Sequence, residues 1–435
     1  MLQRPTLALM ALLTASLIGA APARGAPVMP FVVGDLPLPS EASAGGSQVG
    51  QGFRLARQGD LAGAESAFRA ALAAQPNMAE AQLGLAEVSL RQGKVPQAES
   101  YARGAAAGKP GAAPVWVALG NVLVVATKLD DAEAAFRRAI ELDASLVPAH
   151  MGLGELLLRG RKRPAEAAQS FLKATTLAPS LAAAHFALGT AYATDRALDR
   201  AVPALERAAK LAPGDPLASH TLGRVLAAQK RFEEAVGQFG RALEIDAEYR
   251  PARLDRADVL AEMERNADAA ADYQRLLKAL PEDAQLWLKL GMVTQRLKKP
   301  KEASDHYRKA LSINPNLAVA YNNLAWITLN ERGDLTQARG WAVKAVELAP
   351  QVPHFRDTLG WIYRAQGDLP KAQATLVEAS RLSPPQASVH YHLGIVLQER
   401  GAKAEATAAL RRALEIDRDF ADARDARQRL TQLQR

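Results

Sequence analysis

Apolar and polar residues alternate along this chain with the period of an α-helix, and the pattern is clearest in residues 286–317. There Trp287, Leu290 and Gly291 lie at i, i+3 and i+4, so the three residues share one face of a helix. A second apolar pattern follows a short polar break and stops before Pro315, because proline cannot continue a helix. The stretch therefore predicts two consecutive helices that form a hairpin.

The hairpin pattern recurs along the chain at a nearly constant step. One alanine of the second helix has a counterpart in every unit: Ala64, Ala98, Ala132, Ala167, Ala201, Ala235, Ala269, Ala303, Ala338, Ala372 and Ala406. These alanines lie 34 residues apart, except for two steps of 35. A larger residue, most often Phe, Tyr or Leu, follows four positions later, and another alanine usually follows three positions after that. A period of about 20–50 residues predicts a stack of repeated units, and the small residues allow helices to pack closely.

With the residues aligned in this way, the chain resembles the tetratricopeptide repeat (TPR) family, whose pattern of Trp, Leu and Gly, then Ala, Phe, Ala and Pro, it matches about eleven times. The resemblance implies an all-α superhelical solenoid of helix-turn-helix repeats over residues 47–420 and a C-terminal capping helix over residues 421–435. Two units carry an extra residue near Arg161 and Arg332, where we expect the turn between the helices to accommodate it.

Residues 1–25 have the layout of a cleaved secretory signal peptide. Arg4 precedes an apolar run over residues 7–21, and small residues follow this run. An uncleaved N-terminal anchor is the alternative, but the apolar run is short for a membrane span. Residues 26–46 are rich in Pro, Gly, Ala and Ser and lack a helical period, which predicts a flexible linker. These features predict a periplasmic or secreted protein with no stable membrane span after signal cleavage.

Composition and charge change this picture little. The chain contains no cysteine, so it can form neither a disulfide nor the lipidated N-terminus of a lipoprotein. The formal net charge is +8, or +6 without the two arginines of residues 1–25, and acidic residues are interleaved with the basic ones. Basic clusters such as residues 161–163 lie at predicted helix ends, where the helix dipole favours cations. Solvated helix ends are therefore favoured over a nucleic-acid-binding stripe, and no nucleic acid partner is expected.

The sequence contains no recognisable catalytic or cofactor motif. It lacks a phosphate-binding loop that ends in GK[ST], an HExxH pair and a cysteine nucleophile. His390 and His392 are two positions apart and diverge on a helix, so they cannot hold a metal ion together. His150, His185 and His390 share the repeat position of Trp287, which favours packed rings over metal ligands. We therefore predict a protein that is not an enzyme and that needs no cofactor and no metal.

The TPR resemblance implies that the first helices of successive repeats line a concave groove, which receives an extended peptide or a partner helix. Groove positions in the early repeats are bland, whereas those in the later repeats are aromatic, amide or charged. The predicted partner-binding residues are Lys289, Asn322, Asn323, Trp326, Asn330, Asp357, Trp361, Arg364, Tyr391 and His392. Exposed aromatic side chains beside amides and an arginine are typical of interface anchors. The alternative is that Trp326 and Trp361 are buried against a neighbouring hairpin.

Two known variants of the family fit less well. TPR clamps that hold a terminal carboxylate use Lys and Asn, and here Lys289 is followed by Met292 where the asparagine is needed. The chain also lacks the full ladder of groove asparagines of the O-linked N-acetylglucosamine transferases. Residues 318–414 are instead similar to the C-terminal TPR block of bacterial exopolysaccharide and PEP-CTERM (exosortase)-associated proteins, although many of those are lipoproteins.

Two functional hypotheses follow from the sequence. The first is a scaffold of the bacterial cell envelope that binds protein partners through the concave groove and assists exopolysaccharide biosynthesis or export, or protein sorting. The second is a periplasmic solenoid that binds a polysaccharide directly through the aromatic groove residues. An enzyme would need a site that the sequence does not contain.

Overall fold

The computed structural model describes residues 46–434 of the chain. Within this range it contains 23 α-helices and one π-helical turn, and no strand. The described residues form two compact units, residues 46–252 and residues 253–434. The predicted signal peptide and all but the last residue of the predicted linker lie outside the described residues.

The helices of the first unit are α1 (Gly46–Gln58), α2 (Leu61–Ala74), α3 (Ala79–Arg91), α4 (Val95–Gly108), α5 (Ala113–Val125), α6 (Leu129–Leu142), α7 (Val147–Glu155), α8 (Pro164–Leu177), α9 (Ala182–Thr194), α10 (Leu198–Leu211), α11 (Pro216–Ala228) and α12 (Phe232–Ile245). The boundary between the units falls inside α13 (Arg250–Glu262). The second unit continues with α14 (Asn266–Ala279), α15 (Ala284–Arg296), α16 (Pro300–Ile313), α17 (Ala318–Asn330), α18 (Leu335–Leu348), α19 (Pro353–Ala365), α20 (Leu369–Ser380), α21 (Ala387–Glu399), α22 (Lys403–Ile416) and α23 (Ala423–Leu433).

The helices form hairpins that stack on one another within each unit. The odd-numbered helices α1 to α11 and α15 to α21 each pack against the even-numbered helix that follows. Inside each unit the second helix of a hairpin also packs against the first helix of the next hairpin. The prediction of an all-α solenoid of repeated helix hairpins is therefore confirmed.

A ring and two glycines form the contact between neighbouring hairpins. Phe68 on α2 is fully buried. A Cβ atom at Gly52 on α1 would lie 2.5 Å from the Phe68 ring, and a Cβ atom at Gly84 on α3 would lie 2.4 Å from it. Both distances are far shorter than a van der Waals contact, so glycine is required for the ring to fit on either side. The same arrangement recurs at Phe136.

The turn inside each hairpin contains one residue with a positive φ. Glycine supplies this conformation in four hairpins, for example Gly59 with a φ of 85°. In the others a residue with a side chain takes the position, with φ between 55° and 62°: Thr127, Lys162, Arg196, Lys230, Glu264, Lys298 and Arg332. The left-handed conformation costs such a residue roughly 1 kcal/mol, which the packing of the two helices outweighs.

The two extra residues of the 35-residue units are accommodated in different ways. In the fourth hairpin, α7 continues into the π-helical turn Leu156–Gly160, so the extra residue lies inside the helix. The expected insertion in the turn near Arg161 is therefore wrong, because the wider turn keeps Leu156 and Leu157 buried. In the ninth hairpin, residues 331–334 separate α17 from α18, so the insertion lies in the turn as predicted.

The last helix, α23, lies within the segment predicted to cap the solenoid. Ala423 and Ala426 are buried, and α23 packs against α22. Arg424 and Arg427 are exposed on its other side. The helix thus covers the final hairpin with a polar surface.

Candidate functional site

In the second unit, α17, α19 and α21 contact one another in succession. These three helices and α15 carry all ten predicted partner-binding residues. Asn322, Asp357, Tyr391 and His392 are buried, and the other six are partly or fully exposed. We name the ten residues the polar face: Lys289, Asn322, Asn323, Trp326, Asn330, Asp357, Trp361, Arg364, Tyr391 and His392.

Five side chains of α19 and α21 form one connected group, the Trp361 cluster. Asp357 Oδ1 lies 2.8 Å from His392 Nδ1. Because a carboxylate can only accept, the imidazole donates its Nδ1 proton to it. The imidazole stacks on the Trp361 ring, with 4.1 Å between the ring centroids and 23° between the planes. The Arg364 guanidinium lies 4.3 Å from the Trp361 centroid and its Nε donates to Glu399 Oε1 at 3.0 Å.

Two groups contact the Trp361 ring. The stacked imidazole of His392 and the guanidinium of Arg364 each lie about 4 Å from its centroid. Such contacts combine aromatic stacking with a cation–π interaction, which contribute roughly 0.5–1 kcal/mol each at a partly exposed site. Asp357 and His392 are buried, whereas Trp361 and Arg364 are partly exposed. The cluster therefore presents a fixed tryptophan edge on the polar face.

Tyr391 connects the polar face to the last helix. Its hydroxyl donates to Asp425 Oδ2 on α23 at 2.7 Å, and Arg429 donates to the same carboxylate. Burial, and then the hydrogen bond to Asp425, raises the pKa of Tyr391. The hydroxyl therefore stays protonated at neutral pH. Tyr391 is buried, so this predicted site residue mainly fixes α23 in place.

A chain of amide and hydroxyl groups links α15, α16 and α17. Asn322 Nδ2 lies 3.5 Å from Asn323 Oδ1, and Asn323 Nδ2 donates to the Tyr307 hydroxyl at 3.1 Å. That hydroxyl donates to Gln295 Oε1 at 2.7 Å. The buried Oδ1 of Asn322 has no hydrogen-bond donor among the described residues. Since an unsatisfied buried acceptor costs about 1–3 kcal/mol, Asn322 is the member of this chain with unused hydrogen-bonding capacity.

Lys289 is already paired within the protein. Its Nζ lies 2.7 Å and 2.6 Å from the two carboxylate oxygens of Asp258. The Tyr273 hydroxyl donates to the same carboxylate at 2.5 Å. The Lys289 side chain is only 22% exposed. Lys289 is thus a neutralised member of a buried group and no free cation for a partner carboxylate.

Trp326 and Asn330 occupy the more accessible part of the polar face. Trp326 is half-buried and Asn330 is exposed near the end of α17. Their spacing of four residues places both side chains on one side of the helix. The sequence predicts either exposed or buried rings for Trp326 and Trp361. In the structure both residues are partly exposed.

A buried ion-pair network in α13 and α14 is not predicted by the repeat pattern. Arg256 Nε lies 2.8 Å from Asp272 Oδ2, and Arg253 Nη1 lies 3.3 Å from Asp272 Oδ1. The two arginines occupy the repeat positions of Trp287 and Leu290 in the next hairpin. Two arginines at apolar positions are the sequence signal that indicates this network.

The polar face is rich in charge but locally balanced. Lys289 pairs with Asp258, Arg364 pairs with Glu399, and His392 bonds to Asp357. Across residues 46–434, no group of three or more His, Asp or Glu side chains is arranged to hold a metal ion. Over the same residues, no helix is both long enough and apolar enough to cross a membrane.

Several solved structures resemble this chain. A tetratricopeptide repeat protein from Parabacteroides merdae is 18% identical, with a TM-score of 0.48 over 58% of this chain and 99% of that one. A chain of the APC/C hetero-tetramer Cut9-Hcn1 is 14% identical, with a TM-score of 0.46 over 90% of this chain and 96% of that one. Yeast Tom70 is 13% identical, with a TM-score of 0.41 over 90% and 95%. No curated protein sequence matches the chain.

Family comparison covers most of the chain. The model of one tetratricopeptide repeat family matches residues 50–113, 117–182, 163–216, 186–251, 254–318 and 358–421. A second tetratricopeptide repeat model matches residues 306–340. TPR proteins generally mediate protein–protein interactions, and their repeats are typically not catalytic. The chain belongs to the tetratricopeptide repeat family.

Proposed function

We propose that this protein is a non-enzymatic scaffold of the bacterial cell envelope, and that it binds a protein partner through the polar face. The observation that carries the proposal is the Trp361 cluster, which holds a half-buried aromatic side chain in a fixed position on that face. In the cell the scaffold assists a complex for exopolysaccharide biosynthesis or export, or for protein sorting.

A partner that contacts Trp361 meets an anchor that is already ordered. His392 and Arg364 fix the ring, and Asp357 fixes His392. Binding therefore costs little side-chain entropy, which is otherwise a large part of the cost of forming an interface. Trp and Arg are also the residues that most often carry the binding energy of an interface.

The paired charges indicate the kind of segment that binds. Lys289 and Arg364 are neutralised by Asp258 and Glu399, so a strongly charged partner gains little from them. We expect an uncharged partner segment with apolar and amide side chains. Affinity at this face should depend only weakly on salt.

The cell-envelope part of the proposal rests on the sequence. Residues 1–25 have the pattern of a signal peptide, which favours a periplasmic or secreted protein. The similarity of residues 318–414 to exopolysaccharide and exosortase-associated TPR proteins favours a role in one of those systems. The same residues contain Asn322, Trp326, Trp361 and Tyr391, so the similarity falls on the polar face.

Capture experiments test this function. The tagged full chain is used to bind proteins from the envelope fraction of the bacterium that produces it, and bound proteins are identified by mass spectrometry. We expect a specific partner that is retained by the unmodified chain and reduced about tenfold or more by Trp361→Ala or Arg364→Ala. Trp116→Ala is the matched control, because Trp116 lies on a first helix of the other unit and donates to Pro110 O.

Circular dichroism must show that the variants keep their helical content. Loss of the partner only in the two polar-face variants supports the proposal. Equal capture by the unmodified chain, Trp361→Ala and Arg364→Ala would remove the polar face as the binding site.

A second candidate function is direct binding of a polysaccharide, and Trp326 is the observation that favours it. The half-buried indole lies near Asn323 and Asn330 on α17, and amides beside an aromatic ring suit a hydroxyl-rich ligand. The Trp361 ring is already in contact with His392 and Arg364. Titration with neutral and acidic glycans, followed by tryptophan fluorescence, tests this function. A saturable change that Trp326→Phe abolishes supports it, and no saturable change with any glycan rejects it.

A further inference from the structure

The last helix, α23, is short and buries few of its side chains. It has 11 residues, of which only Ala423 and Ala426 are buried. Leu430 and Leu433 are partly buried, and the side chain of Asp422 before the helix forms no capping hydrogen bond. An isolated helix of fewer than about 12–15 residues does not persist in water, so α23 stays helical only while it is docked. Its release therefore exposes little apolar surface and unfolds a single short helix.

Two polar side chains of α23 bond to α21. Asp425 Oδ2 accepts from the Tyr391 hydroxyl at 2.7 Å, and Arg429 Nη1 donates to Gln398 Oε1 at 3.1 Å. Arg429 Nε also donates to Asp425, so the two side chains of α23 form a pair. The Arg429 and Asp425 side chains are 30% and 42% exposed. Water competes for these bonds, which keeps the attachment of α23 weak.

The residue of α21 that follows Tyr391 bonds in the other direction, to α19. This residue is His392, whose Nδ1 donates to Asp357 Oδ1 at 2.8 Å and whose ring stacks on Trp361. The ring centroids of Tyr391 and His392 lie 5.6 Å apart. The Phe420 ring, which precedes α23, also lies 5.6 Å from Tyr391. A continuous series of rings therefore leads from the start of α23 to Trp361.

A second pair of consecutive residues lies two helical turns later on α21. Gln398 accepts from Arg429 of α23, and the next residue, Glu399, accepts from Arg364 Nε of α19 at 3.0 Å. Arg364 also contacts the Trp361 ring. Helix α21 is thus bonded to α23 and to the Trp361 cluster at two places. A displacement of α21 at either place changes the contacts of Trp361.

Apolar packing joins the same elements. Trp361 of α19 packs against a buried cluster that includes Ala426 of α23, and Leu430 and Leu433 of α23 pack against it as well. The other buried members of this cluster are Tyr391, Ile395, Leu410 and Ala413. Release of α23 removes three side chains from the cluster. The packing that supports Trp361 is then incomplete.

We propose that α23 is a releasable strap that controls the polar face: when docked, it holds α21 where His392 and Glu399 fix Trp361. When α23 undocks, α21 gains freedom and Trp361 loses its fixed position. A partner that contacts Trp361 then binds more weakly, because binding must order the side chain again. By linkage, a partner on Trp361 holds α23 in place. The effect on binding rests on the proposed function, whereas the coupling of α23 to Trp361 does not.

Hydrogen exchange with mass spectrometry and fluorine NMR of the full chain labelled with 5-fluorotryptophan test the coupling without a partner. Asp425→Ala removes the acceptor of Tyr391 and the pair with Arg429. We expect exchange in residues 423–433 to become about tenfold faster and the Trp361 signal to shift.

Asp419→Ala is the matched control for Asp425→Ala. The Asp419 side chain is 95% exposed, and its carboxylate lies 3.9 Å from the Arg427 guanidinium, outside the contacts with α21. Loss of such an exposed pair should change exchange in residues 423–433 less than about twofold and leave the Trp361 signal in place.

Arg364→Ala tests the coupling in the opposite direction. It removes the contacts of α19 with Glu399 and with the Trp361 ring. If α21 transmits this change, exchange in residues 423–433 should become about threefold faster. A helix that merely covered the last hairpin would exchange at an unchanged rate. Tyr391→Phe keeps the ring and removes one hydrogen bond to α23, so it should act in the same direction as Asp425→Ala with less risk to folding.

Three results would overturn the strap. They are unchanged exchange in residues 423–433 after Asp425→Ala, an unmoved Trp361 signal in a variant whose α23 exchanges faster, and unchanged exchange in Arg364→Ala. Capture of the partner separates the strap from the proposed function. About threefold weaker capture by Asp425→Ala supports both, whereas a shifted Trp361 signal with full capture supports the coupling and contradicts partner binding at Trp361. Circular dichroism of each variant serves as the folding control.

Discussion

Two contacts between neighbouring hairpins, one in each unit, differ in their side-chain chemistry. In the first unit Phe68 packs directly on the backbone of Gly84 in the following hairpin. In the second unit Tyr307 has a hydroxyl that accepts from Asn323 of the following hairpin. The hydroxyl of Tyr307, and Asn323 in place of a glycine, change an apolar contact into a hydrogen-bonded one. The two contacts thus join similar helices through different side-chain chemistry.

Charged side chains add to this difference between the two contacts. In the second unit, Tyr273 and Lys289 both bond to Asp258, so a polar group lies where a ring and a glycine meet in the first unit. Arg256 and Asp272 extend this polar character into the hairpin interior. The contacts compared therefore differ in the side chains at a few repeat positions.

The largest expected effect comes from breaking the buried ion pairs of the second unit. Asp272→Ala leaves the Arg256 guanidinium without its carboxylate in a largely buried position. We expect a loss of about 3 kcal/mol in the free energy of unfolding of the second unit. Urea denaturation followed by tryptophan fluorescence measures it, because four of the five tryptophans lie in this unit. Asp268→Ala on the same helix, which removes an exposed pair with Arg265, should cost less than about 0.5 kcal/mol.

A substitution that imposes the second unit's pattern on the first should have the next largest effect. Gly84→Asn copies the residue type of Asn323, but its Cβ would lie 2.4 Å from the Phe68 ring. We expect a destabilisation of about 2 kcal/mol from overpacking, measured by urea denaturation with circular dichroism. Gly237→Asn is the control, since a Cβ there meets nothing within 4 Å. Similar stability of the two variants would show that the close contact of Phe68 with Gly84 does not distinguish the first unit from the second.

The reverse exchange should be milder. Tyr307→Phe removes a hydroxyl that donates to Gln295 and accepts from Asn323. Because both partners are only partly buried and can bond to water, we expect a loss of about 1 kcal/mol in the stability of the second unit. Double-mutant analysis with Asn323→Ala should show coupling between the two residues, and strictly additive effects would argue against the hydrogen-bonded contact.

Acid should weaken the second unit through three histidines. Burial lowers the pKa of His306, His354 and His390 below the ordinary value of about 6.5. The unfolded chain then binds protons more readily than the folded chain, so stability is complete above about pH 6.5 and falls as the pH drops toward the lowered values. Replacement of all three by Gln should flatten this pH dependence in urea titrations at pH 7.5 and 5.5. An unchanged slope would show that other groups cause it.

The repeat period was enough to predict the fold, since the spacing of Ala303, Tyr307 and Pro315 determines two helices and their turn. It also places Trp326 and Trp361 at the same repeat position. It could not predict the partners of these side chains, because contacts such as His392 with Asp357 depend on how neighbouring hairpins are stacked. Nor could the period predict the π-helical turn, because an extra residue can be accommodated either inside the helix or in the turn that follows it.

The central claim is that a partner contacts the polar face, and the five tryptophans provide a direct test of it. Fluorine NMR of the full chain labelled with 5-fluorotryptophan gives one signal for each of Trp116, Trp287, Trp326, Trp341 and Trp361. When the captured partner is added, the signals of Trp326 and Trp361 should shift, while those of Trp116, Trp287 and Trp341 should stay in place. Shifts confined to Trp116, Trp287 and Trp341, or binding of the partner without any shift, would contradict the account.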